Sequence, residues 1–167
     1  MDTNTYNVWS IILWGGTLLA GGVTVIIYYR QLRAMQETIR AQNLAGLIQY
    51  LQSPEVRHAR HVVIGLKGMP YAGGGRRWSE GVEQEASTAC AAYVVTGILV
   101  QLNRVDRDVI IANWGPSIRL VYNNCREFIE ARRKESGDPR YWRAFDWLYE
   151  QVESHHGEGK EVGKAVG

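Results

Sequence analysis

Few side chains in this sequence offer reactive chemistry, and each has a structural reading beside the chemical one. His58 and His61 lie three apart in a segment that reads as helix, so they stand on neighbouring faces. Two histidines at that spacing can share a metal ion, but a site needs a third or fourth ligand. No Cys, Asp or Glu stands at a recognisable partner spacing, and surface histidines are the default. His155 and His156 fall where the last helix is expected to fray. Asp106 and Asp108 lie close together in a turn-rich stretch, where helix capping explains them. The loop MPYAGGGRRW, 69–78, places three glycines before Arg76 and Arg77. A phosphate-binding loop needs a preceding strand and a GK[ST] ending, and neither is here. No nucleophile elbow, HExxH, Walker loop or paired-carboxylate motif occurs. No catalytic residue, metal ligand or cofactor is assigned from the sequence.

A second group could bind rather than react. Arg119 and Asn123-Asn124 lie among core positions of a long helix. A partly buried Arg there could hold an anion, and internal pairing with a carboxylate is the plainer account. Tyr141, Trp142 and Phe145 could line a pocket, although aromatics at helical spacing more often form core. Trp147 shares a helix face with Arg140, Arg143 and Gln151, opposite the Tyr141-Phe145-Leu148 face. An exposed Trp among Arg residues suits a docking surface, since both types are enriched at binding hot spots. The competing account is a Trp covered by the tail or a neighbouring helix. Arg119, Arg143 and Trp147 are the candidate docking or ligand residues.

The elements that hold these residues in place come after one long uncharged run. Residues 8–29, VWSIILWGGTLLAGGVTVIIYY, carry no charge over 22 positions. A helix needs ~20 such residues to cross a hydrocarbon core of ~30 Å. No basic residue precedes the run, and Arg30, Arg33 and Arg40 come after it. Basic flanks stay cytoplasmic, which predicts the amino terminus outside and residues 30–167 inside. A cleaved signal peptide would need a basic start and a shorter apolar core. Tyr6, Trp9, Tyr28 and Tyr29 sit near the two ends, where amphipathic rings favour the headgroup zone. Gly16, Ala20 and Thr24 repeat every four positions, a pattern that lets helix backbones approach in lipid. The bland account is that Gly is common in such helices. The expected partners are the bilayer and a protein, either another subunit or a second copy.

The rest of the chain holds all 19 basic residues and 16 of the 17 acidic ones. That balance excludes nucleic acid as the expected partner. The local basic excess over 30–67 could meet anionic lipid at roughly 1 kcal/mol per residue, and a topology signal explains it as well. Cys90 and Cys125 both sit inside apolar helical patterns. In a cytoplasmic domain they stay reduced and pack as small hydrophobes.

The expected fold is all-α: one transmembrane helix, then a helical bundle. The predicted organisation is a short outer segment at 1–7, a membrane helix at 8–29, a juxtamembrane helix at 30–52, a bundle at 53–154 and a disordered tail at 155–167. Leu32, Met35, Ile39, Leu44, Leu47, Ile48 and Leu51 form an amphipathic stripe with a phase slip near Gln42. Ser53-Pro54 starts a helix as cap and first residue, and that helix stops at Gly68. Ser79 caps the next. Its stretch ACAAYVVTGILV, 89–100, is apolar nearly all round, which predicts a central buried helix. Residues 105–113 read as a short helix or turn. Trp114-Gly115-Pro116-Ser117 reads as a break, with Pro116 opening a long helix that ends at Gly137. Asp138-Pro139 then starts the last helix, with Tyr141, Phe145, Leu148 and Val152 on its buried face.

Two stretches carry a resemblance. NWGPSIRLVYNNCREFIEARR, 113–133, followed by DPRYWRAFDWLYE, 138–150, is similar to the closing part of an uncharacterised bacterial family of short, single-span, membrane-anchored helical proteins. The pattern is Tyr141, Trp142, Phe145, Trp147 and Leu148. The order of elements matches over roughly 6–155, with the residue-level signal in the last third. The resemblance implies the architecture and a bacterial inner membrane. It carries over no activity and no catalytic residue.

Three functions are compatible with this sequence. The first is a tethered interaction module or accessory subunit at the cytoplasmic face. The second is a sensor whose bundle binds a small ligand, with a polar pocket near Arg119 and the loop 69–78. The third is a membrane-bound enzyme, which would show a cleft with clustered titratable groups of shifted pKa. The absence of motifs favours a non-catalytic role.

Overall fold

The computed structural model describes the backbone of residues 3–69, 71 and 78–164, and side chains from residue 26 to residue 155 within those limits. Five helices succeed one another: α1 (Thr3–Leu51), α2 (Pro54–Gly65), α3 (Glu80–Gln101), α4 (Arg107–Ser136) and α5 (Arg143–Lys164). No strand occurs among the described residues. The chain divides into two compact units, residues 1–41 and residues 42–167.

In the first unit, α1 is helical from Thr3 with no break. Thr38 returns its hydroxyl to the Ala34 carbonyl at 2.9 Å. Among the described residues no helix is long and apolar enough to cross a membrane. The uncharged run 8–29 lies mostly at 8–25, outside the described side chains, and so do Gly16, Ala20 and Thr24.

The second unit opens with the last turns of α1, where Leu47 and Leu51 are buried. Local chemistry sets the helix ends. The Val56 N–H donates to the Ser53 hydroxyl at 3.4 Å, with Pro54 inside the first turn of α2. Asp106 accepts from the Asp108 and Val109 N–H groups at 2.8 and 3.3 Å, satisfying two orphan donors of α4. Gly137 closes α4 at φ 68°, a left-handed conformation that a Cβ disfavours. Ser79 stands at the N-cap position of α3, but its side chain makes no capping bond. The last turn of α1 contains no basic residue. Arg60 of α2 supplies one instead, donating to the Leu51 carbonyl at 2.7 Å.

Packing overrides the sequence reading in three places. Trp114-Gly115-Pro116 is not a break, because α4 runs through it for 30 residues. Proline deprives the Ala112 carbonyl of its donor, at a cost of about 3 kcal/mol. The continuous buried face of α4, including Ile110, Ile118, Val121 and Phe128, outweighs that cost at about 1.5–3 kcal/mol per large side chain. Gly115 faces α5, and a Cβ there would lie in ordinary contact with Val152 at 3.6 Å.

The second correction is the start of α5, at Arg143 rather than Pro139. Asp138 caps only a turn, accepting from the Arg140 N–H at 2.8 Å. Trp142 then sits at φ 61°, which breaks the helical path. Tyr141 is consequently exposed rather than on the buried face, whereas Phe145, Leu148 and Val152 are fully buried. At its other end α5 continues through the segment expected to lack order, as far as Lys164.

The third correction is α3, which is not buried all round. Ala86, Ala89, Cys90, Ala92, Tyr93, Thr96, Gly97 and Val100 face inward. Ala91, Val95, Ile98 and Leu102 face outward. α3 packs against α2, α4 and α5. At Gly97 the contact with α5 is so close that a Cβ would meet the Ala144 carbonyl oxygen at 2.3 Å.

Candidate functional site

The polar residues of the bundle are mostly tied to one another. Asp146 of α5 accepts from the Tyr122 hydroxyl at 2.9 Å and pairs with the guanidinium of Arg133. Arg133 also donates to the Tyr141 carbonyl and to Glu130, both at 3.0 Å. It is 14% exposed, so its charge is met by two carboxylates and a carbonyl with little water. Burial pushes the Tyr122 hydroxyl up to about 12, helped by its bond to the Asp146 carboxylate. The Tyr122 ring stacks on Tyr149 at 4.1 Å and meets Phe145 edge-on. This network fixes the hairpin of α4 and α5.

A second cluster holds the chain on both sides of the glycine-rich loop. Glu83 accepts from the Tyr71 hydroxyl at 3.0 Å and from Arg132 at 3.1 Å. Tyr71, Trp78 and Phe128 pack ring on ring at 5.2–5.7 Å. The Arg132 guanidinium lies over Phe128 at 5.1 Å. A third set lies in the core, where the Tyr93 hydroxyl donates to Ser117 at 2.8 Å. Burial raises the Tyr93 hydroxyl above its ordinary range, against the lowering influence of Ser117 and Arg60. Cys90 and Cys125 are buried as free thiols. Burial pushes the Cys90 thiol well up, and its hydrogen bond with Cys125 adds to that. The acidity needed for a reactive thiolate is the reverse of this.

The residues singled out by type do not converge. His58 is exposed, with Nε2 at 3.9 Å from Glu85, and His61 is exposed beside it. Among the described residues no three His, Cys, Asp or Glu side chains meet in a group that could hold a metal. Arg119 lies 3.0 Å from Glu153 on the α4–α5 side, about half in solvent. The contact is between charges: the buried Glu153 Oε1 accepts no aligned hydrogen bond. Arg143 is exposed, but Trp147 is half-buried against the core rather than standing free. Of its expected neighbours, Arg140 falls in the turn before α5, and Gln151 accepts from Arg107 at 3.2 Å.

Open depressions mark the described surface. One, of about 380 Å³, lies between Met69, Tyr71, Asn123 and Arg126. It borders the loop 69–78 but not Arg119, and Asn124 at its edge is occupied by a bond to the Val63 carbonyl at 2.9 Å. Another, of about 330 Å³, lies between Arg133, Lys134, Gly137 and Pro139. Cys90, Tyr93 and Tyr122, the groups raised by burial, line neither.

What type-by-type reading missed is apolar. The outward face of α3 exposes Val95 at 41%, Ile98 at 42% and Leu102 at 61%. The signal was in the sequence, since 86–103 carries no charge. It read as burial because an all-apolar helix is usually central.

The aromatic pattern that carried the family resemblance is structural. Phe145 stacks on Tyr93 at 5.3 Å, Trp142 packs against Phe128 and Tyr141, and Leu148 is fully buried. The family model for a domain of unknown function, DUF4760, matches residues 18–152. The chain belongs to that family. No curated protein and no solved structure matches it.

Proposed function

Because membership of this family brings no activity with it, we propose from the distribution of apolar surface that the chain is a membrane-tethered interaction module. It presents its helical bundle at the cytoplasmic face of a bacterial inner membrane, with the amino terminus outside. The observation that carries this reading is the uncovered apolar surface of α1. Ile26, Ile27, Tyr28, Tyr29, Leu32 and Met35 are each at least half exposed. The first four close the uncharged run 8–29, and Leu32 and Met35 follow it beside Arg30 and Arg33. Apolar surface of that extent is not left in water, and a bilayer removes it. Arg33 lies over the Tyr29 ring at 5.8 Å, a pairing suited to the headgroup zone.

Interaction is preferred to catalysis because the polar clusters of the bundle are spent on each other. Arg133 with Asp146 and Arg132 with Glu83 hold helices together. The small-residue face Gly16, Ala20 and Thr24 would pack in lipid against a second subunit or a second copy. Extraction of native membranes with alkaline carbonate should leave the chain in the pellet. Purification in mild detergent should bring down a stoichiometric partner, reduced by Gly16→Leu with Ala20→Leu. Release of the chain by carbonate would overturn the reading.

A further inference from the structure

Cys90 of α3 and Cys125 of α4 are both fully buried, and both are free thiols. Contacts on either side place them at one level of the same seam. Glu83 of α3 pairs with Arg132 of α4 at 3.1 Å. Cys90 follows Glu83 by seven residues, and Cys125 precedes Arg132 by seven. Seven residues are about two helical turns. Two helices that run in opposite directions therefore bring the two sulfurs to the same level and face. One turn further along α3 the Tyr93 hydroxyl crosses to Ser117 of α4 at 2.8 Å, which fixes the opposite direction. Glu83, Ala86, Cys90 and Tyr93 fall at spacings of three, four and three, a single helix face. Ala86, one turn from Cys90, is small and fully buried, so α3 adds little bulk there. Cys125 is also the hydrogen-bond neighbour that helps to raise the Cys90 thiol.

We propose that Cys90 and Cys125 form a redox-modification site, where a peroxide converts the two thiols into a reversible disulfide between α3 and α4. The sulfur of one thiol attacks a peroxide oxygen, and the O–O bond breaks. One water leaves and a sulfenic acid remains. The sulfur of the second thiol then attacks the oxidised sulfur. The S–O bond breaks, and the hydroxyl leaves as a second water with the second thiol's proton. The thiols lose two electrons in all, and the peroxide gains them. Burial holds the Cys90 thiol protonated and slow at rest. Oxidation therefore needs a transient parting of α3 and α4 that admits the peroxide. Reclosure carries the second thiol onto the sulfenic acid, which favours the disulfide over further oxidation. In a reducing compartment small thiols reopen the bond by exchange, so the link is transient. The pair lies within the second compact unit, and its oxidation does not depend on the membrane tether.

The test treats the full-length chain in mild detergent with hydrogen peroxide, then unfolds it in acid, alkylates it with N-ethylmaleimide and weighs it. The native chain should lose both thiols together, with its mass lowered by two hydrogens. A peptide joining Cys90 to Cys125 should appear, and dithiothreitol should restore both thiols. The helical circular dichroism should be retained. The urea midpoint should shift upward, because the bond closes a long loop of the unfolded chain. Cys90→Ala and Cys125→Ala should each abolish both the linked peptide and the upward shift. Thiols that stay free in peroxide overturn the proposal, as do thiols that gain oxygen separately without linking. A linked chain whose urea midpoint falls overturns it as well, since that bond would not fit the native seam.

Discussion

Replacing Gly97 by alanine tests the α3–α5 seam, because two effects of opposite sign meet there. In a helix interior the exchange is intrinsically favourable by about 1 kcal/mol. Against that, the new Cβ would stand 2.3 Å from the Ala144 carbonyl oxygen and 3.0 Å from its carbon. These are backbone atoms, so no side-chain rotation relieves the clash. Restoring ordinary contact requires α5 to withdraw by about 1 Å in an interior packed as densely as a crystal. That movement loosens Phe145 and Leu148, both fully buried. Overpacking of this kind costs about 1–3 kcal/mol, occasionally more. The clash wins, and Gly97→Ala should destabilise the bundle by about 1–2 kcal/mol net, a fall of several degrees in Tm. Gly46→Ala is the matched control, since a Cβ there meets nothing within 4 Å. It should gain up to about 1 kcal/mol. Urea and thermal unfolding of the full chain in mild detergent, followed by circular dichroism, measure both. If Gly97→Ala proves as stabilising as Gly46→Ala, the close approach of α3 and α5 is wrong.

Alkaline titration should reveal the Tyr122–Asp146 contact. The folded hydroxyl titrates at about 12 against 10 for a free tyrosine. The folded state therefore holds its proton longer, and the stability this contributes is complete below pH 10 and lost toward about pH 12. Tyr122→Phe should flatten the fall in urea midpoint over that window without abolishing it, because Tyr93 and Cys90 are raised as well. An unchanged slope would remove the assignment. The caps give a second contrast. Asp106→Ala breaks two side-chain bonds to the first turn of α4 and should cost about 1 kcal/mol. Ser79→Ala breaks none and should cost less than about 0.5 kcal/mol. The reverse order, read from denaturant midpoints, would contradict the capping geometry.

Where sequence and structure agree, the interaction is local. Ser53 with Pro54, Asp106 and Gly137 each mark a helix end through contacts within a few residues. The core stripe of α4, with Val121, Cys125, Phe128 and Ile129, is legible from its period. The disagreements are non-local. Pro116 reads as a break because its neighbours in sequence cannot show the face that Ile110 and Ile118 share along one buried side. Asp138-Pro139 reads as a helix start because nothing in the dipeptide announces the left-handed turn at Trp142. The candidate site fares worse for the same reason. Arg119, Arg143 and Trp147 share no cluster, since Arg119 turns to Glu153 and Trp147 lies against the core.

The class of the molecule was already settled by the order of its residues. Uncharged runs, helix-period stripes and caps dictate an all-helical chain with a long first helix, because those signals act over one or two turns. The uncharged stretch of α3, residues 86–103, is equally a property of the chain before folding. Which side of that stretch is used within the chain is a matter of tertiary packing alone. The approach of Ala144 to Gly97 and the packing of Tyr93 on Phe145 spend one face, leaving Val95, Ile98 and Leu102 outward. An all-apolar helix carries no internal preference for one side. The choice comes from the number and placement of its neighbours, and three packed helices cannot enclose the whole circumference of a fourth.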